Sequence, residues 1–271
     1  MLQKRKVVVT GLGVLAPNGN TTSEYWEALT AGKSGIGPIE SFDASDLSVR
    51  IAGELKDFDP QSFFDRKELR KLDPFTIYHL VSSEEAIKNS GIDLDKTDGD
   101  RIGVIIGTGI GGIQTLENEH GVFSERGQRR VSPFFVPRFI PNIASGNLAI
   151  KFGLRGPNHT VISACASGTD AIGCAMRTIQ YGDADVMITG GTEASITGLT
   201  ISGFGNIKAL STRNDDPTAA SRPFDAERDG FVLGEGGGAL ILEDYDHAVK
   251  RNAEIYGEVI GFGMSCDAYH I

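Results

Sequence analysis

The sequence predicts an α/β fold built on a largely parallel sheet, and three observations carry that expectation. Val7-Val8-Val9, Arg101 to Gly107 (RIGVIIG) and Asp185 to Gly190 (DVMITG) are short, unbroken apolar runs of the kind buried on both sheet faces. Stretches with helical spacing of apolar residues lie between them. Glycine is abundant, 35 of 271 residues, without a collagen period or a low-complexity tract, which assigns it to tight turns and close backbone approaches. No linker or repeat interrupts the pattern, so a single domain over residues 1–271 is expected.

Val7 to Ala16 is read as a first strand. The preceding Lys4-Arg5-Lys6 imitates a secretion signal, but Gly11 and Gly13 interrupt the apolar stretch and Pro17 ends it. Thr22 to Leu29 reads as a short helix with Trp26 and Leu29 on one face and Thr21 or Thr22 as cap. Asp73 to Asn89 is a stronger helix: Ile77, Leu80, Val81 and Ile87 recur at helical spacing, Pro74 suits the first position, and Gly91 suits the end. After the Arg101–Gly107 strand come glycines and a polar helix to about Glu125. A Pro-punctuated apolar loop (Val131 to Pro141) and a helix over Asn142 to Phe152 follow. Asn158 to Ser163 is read as a strand, then a helix from Cys165 to Tyr181 with Ile172, Ala175, Met176 and Ile179 on its apolar stripe. Beyond the Asp185–Gly190 strand, Gly230 to Leu242 suggests two short strands around a turn at Gly234–Gly238. Tyr245 to Arg251 is read as a helix and Glu254 to Met264 as a last strand. The stop at Ile271, directly after a strand and without a polar tail, reads as an interruption.

Composition narrows the function classes. The net charge of −10 argues against general nucleic-acid binding. No run of about 18 apolar residues predicts a membrane span. Three cysteines (Cys165, Cys174, Cys266) are too few for a disulfide scaffold and point to a reducing cytoplasm. Five scattered histidines show no metal-ligand spacing. Against the acidic background, Arg66-Lys67, Arg70-Lys71 and Arg129-Arg130 are either solvated faces or a local patch that steers an acidic partner.

Three motifs bear on chemistry. Val161 to Gly168 (VISACASG) places Cys165 where a strand meets a helix of small residues. There the free N–H groups and positive end of a helix stabilise a thiolate and can hydrogen-bond an oxyanion. The alternative is a buried structural cysteine, which is the reading for Cys174 inside the helix. Gly107 to Gly112 (GTGIGG) and Gly11 to Ala16 (GLGVLA) each satisfy a dinucleotide fingerprint after a strand. Two copies, neither followed by a clear ribose-binding acid, weaken that NAD(P) reading. Ser221 to Gly230 (SRPFDAERDG) offers alternating charges without a histidine, and is read as a loop tied by ion pairs and turns.

Together these residues resemble the condensing enzymes of the thiolase-like fold, and within them the β-ketoacyl-[acyl-carrier-protein] synthases of type II. The matching stretches are VVVTGLG (7–13), GTGIGG (107–112), SPFFVPRFIPN (132–142), GPN (156–158), SACASGTDAIG (163–173), ALSTRNDDPTAASRPFDAERDGFVLGEG (209–236) and DAYH (267–270). The resemblance implies a layered α/β/α architecture with a mixed, largely parallel sheet. It implies a decarboxylative Claisen condensation: Cys165 takes an acyl group from its carrier protein, and the carbanion from malonyl carrier protein attacks the acyl-enzyme. Cys165 would also supply one oxyanion N–H. Ile110 and Phe204 would line the acyl pocket, and Phe135 would reach across a homodimer interface. Lys67, Arg70, Lys71, Arg129, Arg130 and Lys208 would meet the acidic acyl carrier protein. No metal and no bound cofactor are implied, because the substrates carry phosphopantetheine on the carrier.

Departures are informative. The family's two catalytic histidines, its lysine and its gating phenylalanine turn belong to a second half that this sequence does not contain, and His270 is not one of those histidines. The resemblance is therefore to the N-terminal portion, which is expected not to condense malonyl carrier protein alone and to leave apolar faces uncovered. Asp170 and Cys266 stand where histidine and serine are common. A non-catalytic subunit like the chain-length factors of polyketide systems is the alternative from another class; retention of Cys165 counts against it.

Overall fold

The structure, a computed structural model, describes residues 4–269. Its elements run β1 (Val7–Leu15), α1 (Thr22–Thr30), β2 (Gly37–Pro38), β3 (Ile51–Ala52), α2 (Arg66–Leu69), α3 (Pro74–Ser90), β4 (Ile102–Gly107) and α4 (Ile113–Arg126). They continue through α5 (Phe135–Phe139), α6 (Ile143–Phe152), β5 (Asn158–Val161), α7 (Ser167–Tyr181), β6 (Val186–Glu193), α8 (Gly198–Asn206), β7 (Gly236–Asp244), α9 (Tyr245–Lys250) and β8 (Gly257–Glu258).

One six-stranded sheet, ordered β5-β4-β6-β7-β1-β8, organises them, with a small β2–β3 pair beside it. Strand β4 pairs in parallel with β5 and β6, while β6–β7, β7–β1 and β1–β8 are antiparallel. Two of the predicted apolar runs, in β4 and β6, make the parallel centre, and cover on both faces explains why they are unbroken. Val104, Ile106 and Ile188 face α3 and α6, packing with Phe75, Leu80 and Leu148. Ile105 and Met187 face α7, packing with Ala171, Ala175, Met176 and Ile179. Each fully buried aliphatic contributes roughly 1.5–3 kcal/mol by area, so losing the helices on either face would uncover half of this centre.

Helix α3 starts and stops where its residues dictate. Asp73 caps it by accepting from the Phe75 amide at 3.2 Å, Pro74 holds the first position, and Gly91 ends it at φ 64°. The same Asp73 carboxylate also accepts from the Thr115 amide (3.0 Å) and hydroxyl (2.6 Å), tying α4 to α3. Burial raises its pKa, and those bonds pull against the rise.

Several expectations need correction. Strand β1 lies between two antiparallel neighbours, β7 and β8, and not inside a parallel pair. The Gly230–Leu242 stretch does not hold two strands about a turn: Gly236, Gly237 and Gly238 are the start of the single strand β7. Those glycines are there for contact, since a Cβ on Gly237 would sit 2.8 Å from the Tyr78 carbonyl of α3. The Val131–Pro141 segment contains helix α5, held by Phe135 stacked on Phe139 one turn on (5.8 Å between rings). Only Gly257–Glu258 of the expected last strand pairs, although the Val259 amide adds a bond to the Val7 carbonyl. Ile162, Tyr181 and Leu199 remain exposed.

Candidate functional site

Strands β4, β5 and β6 run in parallel and end together, which places their carboxyl ends at one edge of the sheet where open α/β folds bind ligands. The chain leaving β5 turns sharply there. Ala164 takes φ 51°, a conformation costing about 1–2 kcal/mol for an L-residue. Ala164–Ala166 form a single 3-10 turn before α7 begins at Ser167. Cys165 therefore sits just before the helix, not as its first residue.

Ser167 holds this elbow. Its buried hydroxyl accepts from the Ser163 amide (2.9 Å) and donates to the Ala164 carbonyl (2.6 Å). The Ser163 hydroxyl donates to Asp170 at 2.5 Å, closing the turn from the helix side. Cys165 is left exposed at the apex, whereas Cys174 is part-buried within α7 against the second core cluster.

Glycines let the elbow come down onto the sheet. A Cβ on Gly107, the last residue of β4, would lie 2.5 Å from the Gly168 amide nitrogen and closer still to the Ser167 carbonyl. Gly168 and Gly191 of β6 meet with similar intimacy: a Cβ on Gly191 would be 3.1 Å from the Gly168 Cα.

Cys165 opens onto two cavities. One of about 630 Å³ is lined by Ile110, Phe204, Phe231, Leu233, Tyr25 and Glu193 among others. The other, about 650 Å³, lies beside Trp26, Thr169, Ile172 and Leu240. Among the described residues no histidine or lysine lines either. Phe204 and Phe231 meet edge to face at 5.4 Å, forming one apolar wall. The structure thus brings Ile110 and Phe204 together with Cys165. Phe135 lines neither cavity; it lies on α5 beside the exposed Phe134, Val136 and Ile140.

The two glycine motifs have other uses than phosphate binding. Gly11 to Ala16 run through β1 and its end, and a Cβ at Gly11 or Gly13 would strike the backbone of α3. In the Gly107–Gly112 loop the amides a pyrophosphate would need are taken by a carboxylate. Glu193 accepts from Gly109 N (2.6 Å), Ile110 N (3.3 Å) and Thr108 Oγ1 (3.1 Å). Burial pushes the Glu193 carboxyl up, opposed by those bonds. The NAD(P) reading has no vacant cradle here.

The Ser221–Gly230 loop is tied as expected. Arg222 pairs with Asp229 at 3.1 Å, and Asp229 also accepts from Ser211 Oγ (2.7 Å) and Thr212 N (2.9 Å). No group of three His, Cys, Asp or Glu able to hold a metal occurs among the described residues.

Lys67 on α2, Arg70 and Lys71 after it, Arg129 and Arg130 in a 3-10 turn, and Lys208 past α8 are all exposed. Lys71 lies 5.9 Å over the ring of Phe134, four residues past Arg130 in the chain. No hydrogen bond, ion pair or ring contact among the described residues joins Lys208 to these other basic residues. Of the DAYH stretch, His270 lies outside the described residues. No helix among the described residues is long and apolar enough to cross a membrane.

Sequence reasoning alone misses Phe231 and Glu193 as site residues. Phe231 falls within the 209–236 stretch that carries the resemblance, which implies no role for it. Glu193 stands three residues past the expected end of its strand, and its partners are more than 80 residues away in sequence.

Comparison with known proteins agrees with this geometry. Over 270 residues the chain is 52% identical to 3-oxoacyl-[acyl-carrier-protein] synthase 2 of Synechocystis sp., covering 100% of this chain and 65% of that protein. A β-ketoacyl synthase from Burkholderia phymatum superposes with TM-score 0.88 at 34% identity, over 98% of this chain and 65% of that one. A type II polyketide ketosynthase complexed with its acyl-carrier protein and a hexaketide superposes with TM-score 0.77 at 28% identity, over 95% and 67%. The chain spans about two thirds of its relatives, and the fold is thiolase-like. The family described as "Beta-ketoacyl synthase, N-terminal domain" matches residues 4–248, and the chain belongs to it.

Proposed function

We propose that this chain supplies the acyl-accepting part of a β-ketoacyl-[acyl-carrier-protein] synthase, with Cys165 as the acceptor. The observation that carries the reading is an exposed cysteine on a strained elbow, facing an apolar cavity at the ends of three parallel strands. The thiolate attacks the carrier's acyl thioester, the Sγ–C bond forms, and the pantetheine sulfur leaves with the proton that Cys165 gave up. The Cys165 N–H would donate to the oxyanion of the tetrahedral intermediate. Ile110, Phe204 and Phe231 then house the acyl chain.

The carbanion-forming step needs groups that neither cavity presents among the described residues, so acyl transfer without β-ketoacyl product is the expected behaviour of residues 1–271. The exposed Lys67, Arg70, Lys71, Arg129 and Arg130, with Lys208, suit an acidic carrier protein, a reading supported by the carrier bound to the related polyketide ketosynthase. The apolar Phe134–Ile140 segment suits a homodimer contact through Phe135. The chain is read as one domain, because strands from both ends, β1 and β8, pair in the same sheet. A reducing, cytoplasmic setting suits the three free cysteines.

Cys165→Ala is expected to abolish acyl transfer from an acyl-carrier-protein thioester, and Cys174→Ala to leave it nearly unchanged. Equal losses in the two variants would overturn the assignment. Retention of Cys165 in an open pocket favours this reading over a chain-length-factor-like subunit.

A further inference from the structure

Ile110 is the one large side chain in the Thr108–Gly112 loop, and it lines the cavity beside Cys165. Three surfaces clamp that loop. On one side Glu193 takes the Gly109 and Ile110 amides and the Thr108 hydroxyl, and Thr108 Oγ1 in turn accepts from Gly111 N at 3.2 Å. On another, Gly109 lies against the elbow, where an added Cβ would sit 3.6 Å from the Ala164 carbonyl oxygen. At the far end the Gly112 amide donates to the Phe139 carbonyl at 3.1 Å. Of these, only Glu193 bonds Ile110 and the two residues before it through a single side chain.

We infer that Glu193 is a positioning residue that sets how far Ile110 projects into the cavity, and so the length of alkyl chain accepted at Cys165. A carboxylate suits the task better than a neutral acceptor, because two amide N–H groups and a hydroxyl converge on it. The strand beneath Glu193 is rigid: Gly190 and Gly191 are packed against β7 and α7, so the anchor cannot follow the loop. Without the anchor, Ile110 swings away and the wall recedes. The inference rests on the cavity being the acyl pocket proposed above.

The test uses the full chain and N-alkyl iodoacetamides carrying ethyl, hexyl or dodecyl groups. Cys165 Sγ bonds to the reagent's methylene, iodide leaves, and the thiol proton passes to buffer, so reactivity is the same for all three reagents and chain length alone is varied. Rates at Cys165 are read by peptide mapping. Glu193→Ala is expected to raise the dodecyl-to-ethyl rate ratio by roughly fivefold or more, in the range of selectivity that pocket size controls. Glu193→Gln, which keeps an acceptor for the two amides, is expected to stay within about twofold of the parent. A parental ratio in Glu193→Ala overturns the inference. Should that variant fail to fold, Thr108→Val cuts one bond to Glu193 and the acceptor of Gly111; an unchanged ratio there overturns it equally. Acyl-thioester transfer to the parent chain is measured in parallel. Its failure alongside a shifted alkylation ratio would strike the acyl reading and leave the role of Glu193 standing.

Discussion

Gly107→Ala is the sharpest perturbation of the elbow. The new methyl group would fall 2.5 Å from the Gly168 nitrogen and nearer still to the Ser167 carbonyl. Both obstacles are backbone, and neither can rotate away. Relief requires α7 to retreat from β4 by about an ångström, which separates Gly168 from Gly191 and loosens packing around Ala171 and Ile105. Overpacking of this type costs roughly 1–3 kcal/mol, and the upper end applies when backbone must move. For a chain of this size that is a fall in Tm of roughly 2–12 °C. Two glycines provide internal calibration. Gly191→Ala meets the Gly168 Cα at 3.1 Å and should cost less. Gly203 in α8 has no atom within 4 Å of an added Cβ, so Gly203→Ala should stabilise by about 0.5–1 kcal/mol through helix propensity alone. Calorimetry ranks the three, and iodoacetamide labelling reports Cys165. The expected order of stability is Gly203→Ala, parent, Gly191→Ala, Gly107→Ala, with Cys165 reactivity altered chiefly in the last. Gly107→Ala with parental Tm and parental labelling would refute the claim that glycine contact sets the elbow.

Two further perturbations probe electrostatics. Asp185 is held at a pKa of about 2, below its usual 3.8, first by its hydrogen bonds from Arg101 and also by Arg5. Its contribution is therefore complete above about pH 4 and disappears as pH falls toward 2. After allowance for solvent screening it amounts to about 1–2 kcal/mol. In urea unfolding Asp185→Asn should lose that much at pH 7, and the gap should narrow below pH 4; a gap independent of pH contradicts the assignment. Arg129→Glu with Arg130→Glu should weaken binding of an acidic carrier protein about tenfold at low salt and less at high salt, because exposed charges are screened. Binding insensitive to both reversal and salt would remove that surface from the account.

The parts of the molecule that were legible in the sequence are those decided locally. Asp73, Pro74 and Gly91 announce α3 because caps act within a turn of their own residue. The runs 102–107 and 186–190 announce buried strands because every side chain on them is covered. Cys165 was legible because a strand end, a turn and a helix of small residues are adjacent in the chain. What was not legible depends on distant partners. Gly236–Gly238 look like a turn until α3 is seen lying on them, with Tyr78 against Gly237. The antiparallel setting of β1 depends on β7, more than 200 residues later. The GTGIGG loop looks like a phosphate cradle because its amides are free in the sequence; only the fold delivers Glu193 to fill it.

The most direct measurement is the site of an acyl adduct. Residues 1–271 are incubated with an acyl-carrier-protein thioester, digested, and the three cysteines are compared by tandem mass spectrometry. The account predicts acyl mass on Cys165 with Cys174 and Cys266 unmodified. Acyl mass distributed over all three, or confined to Cys174 or Cys266, would contradict it.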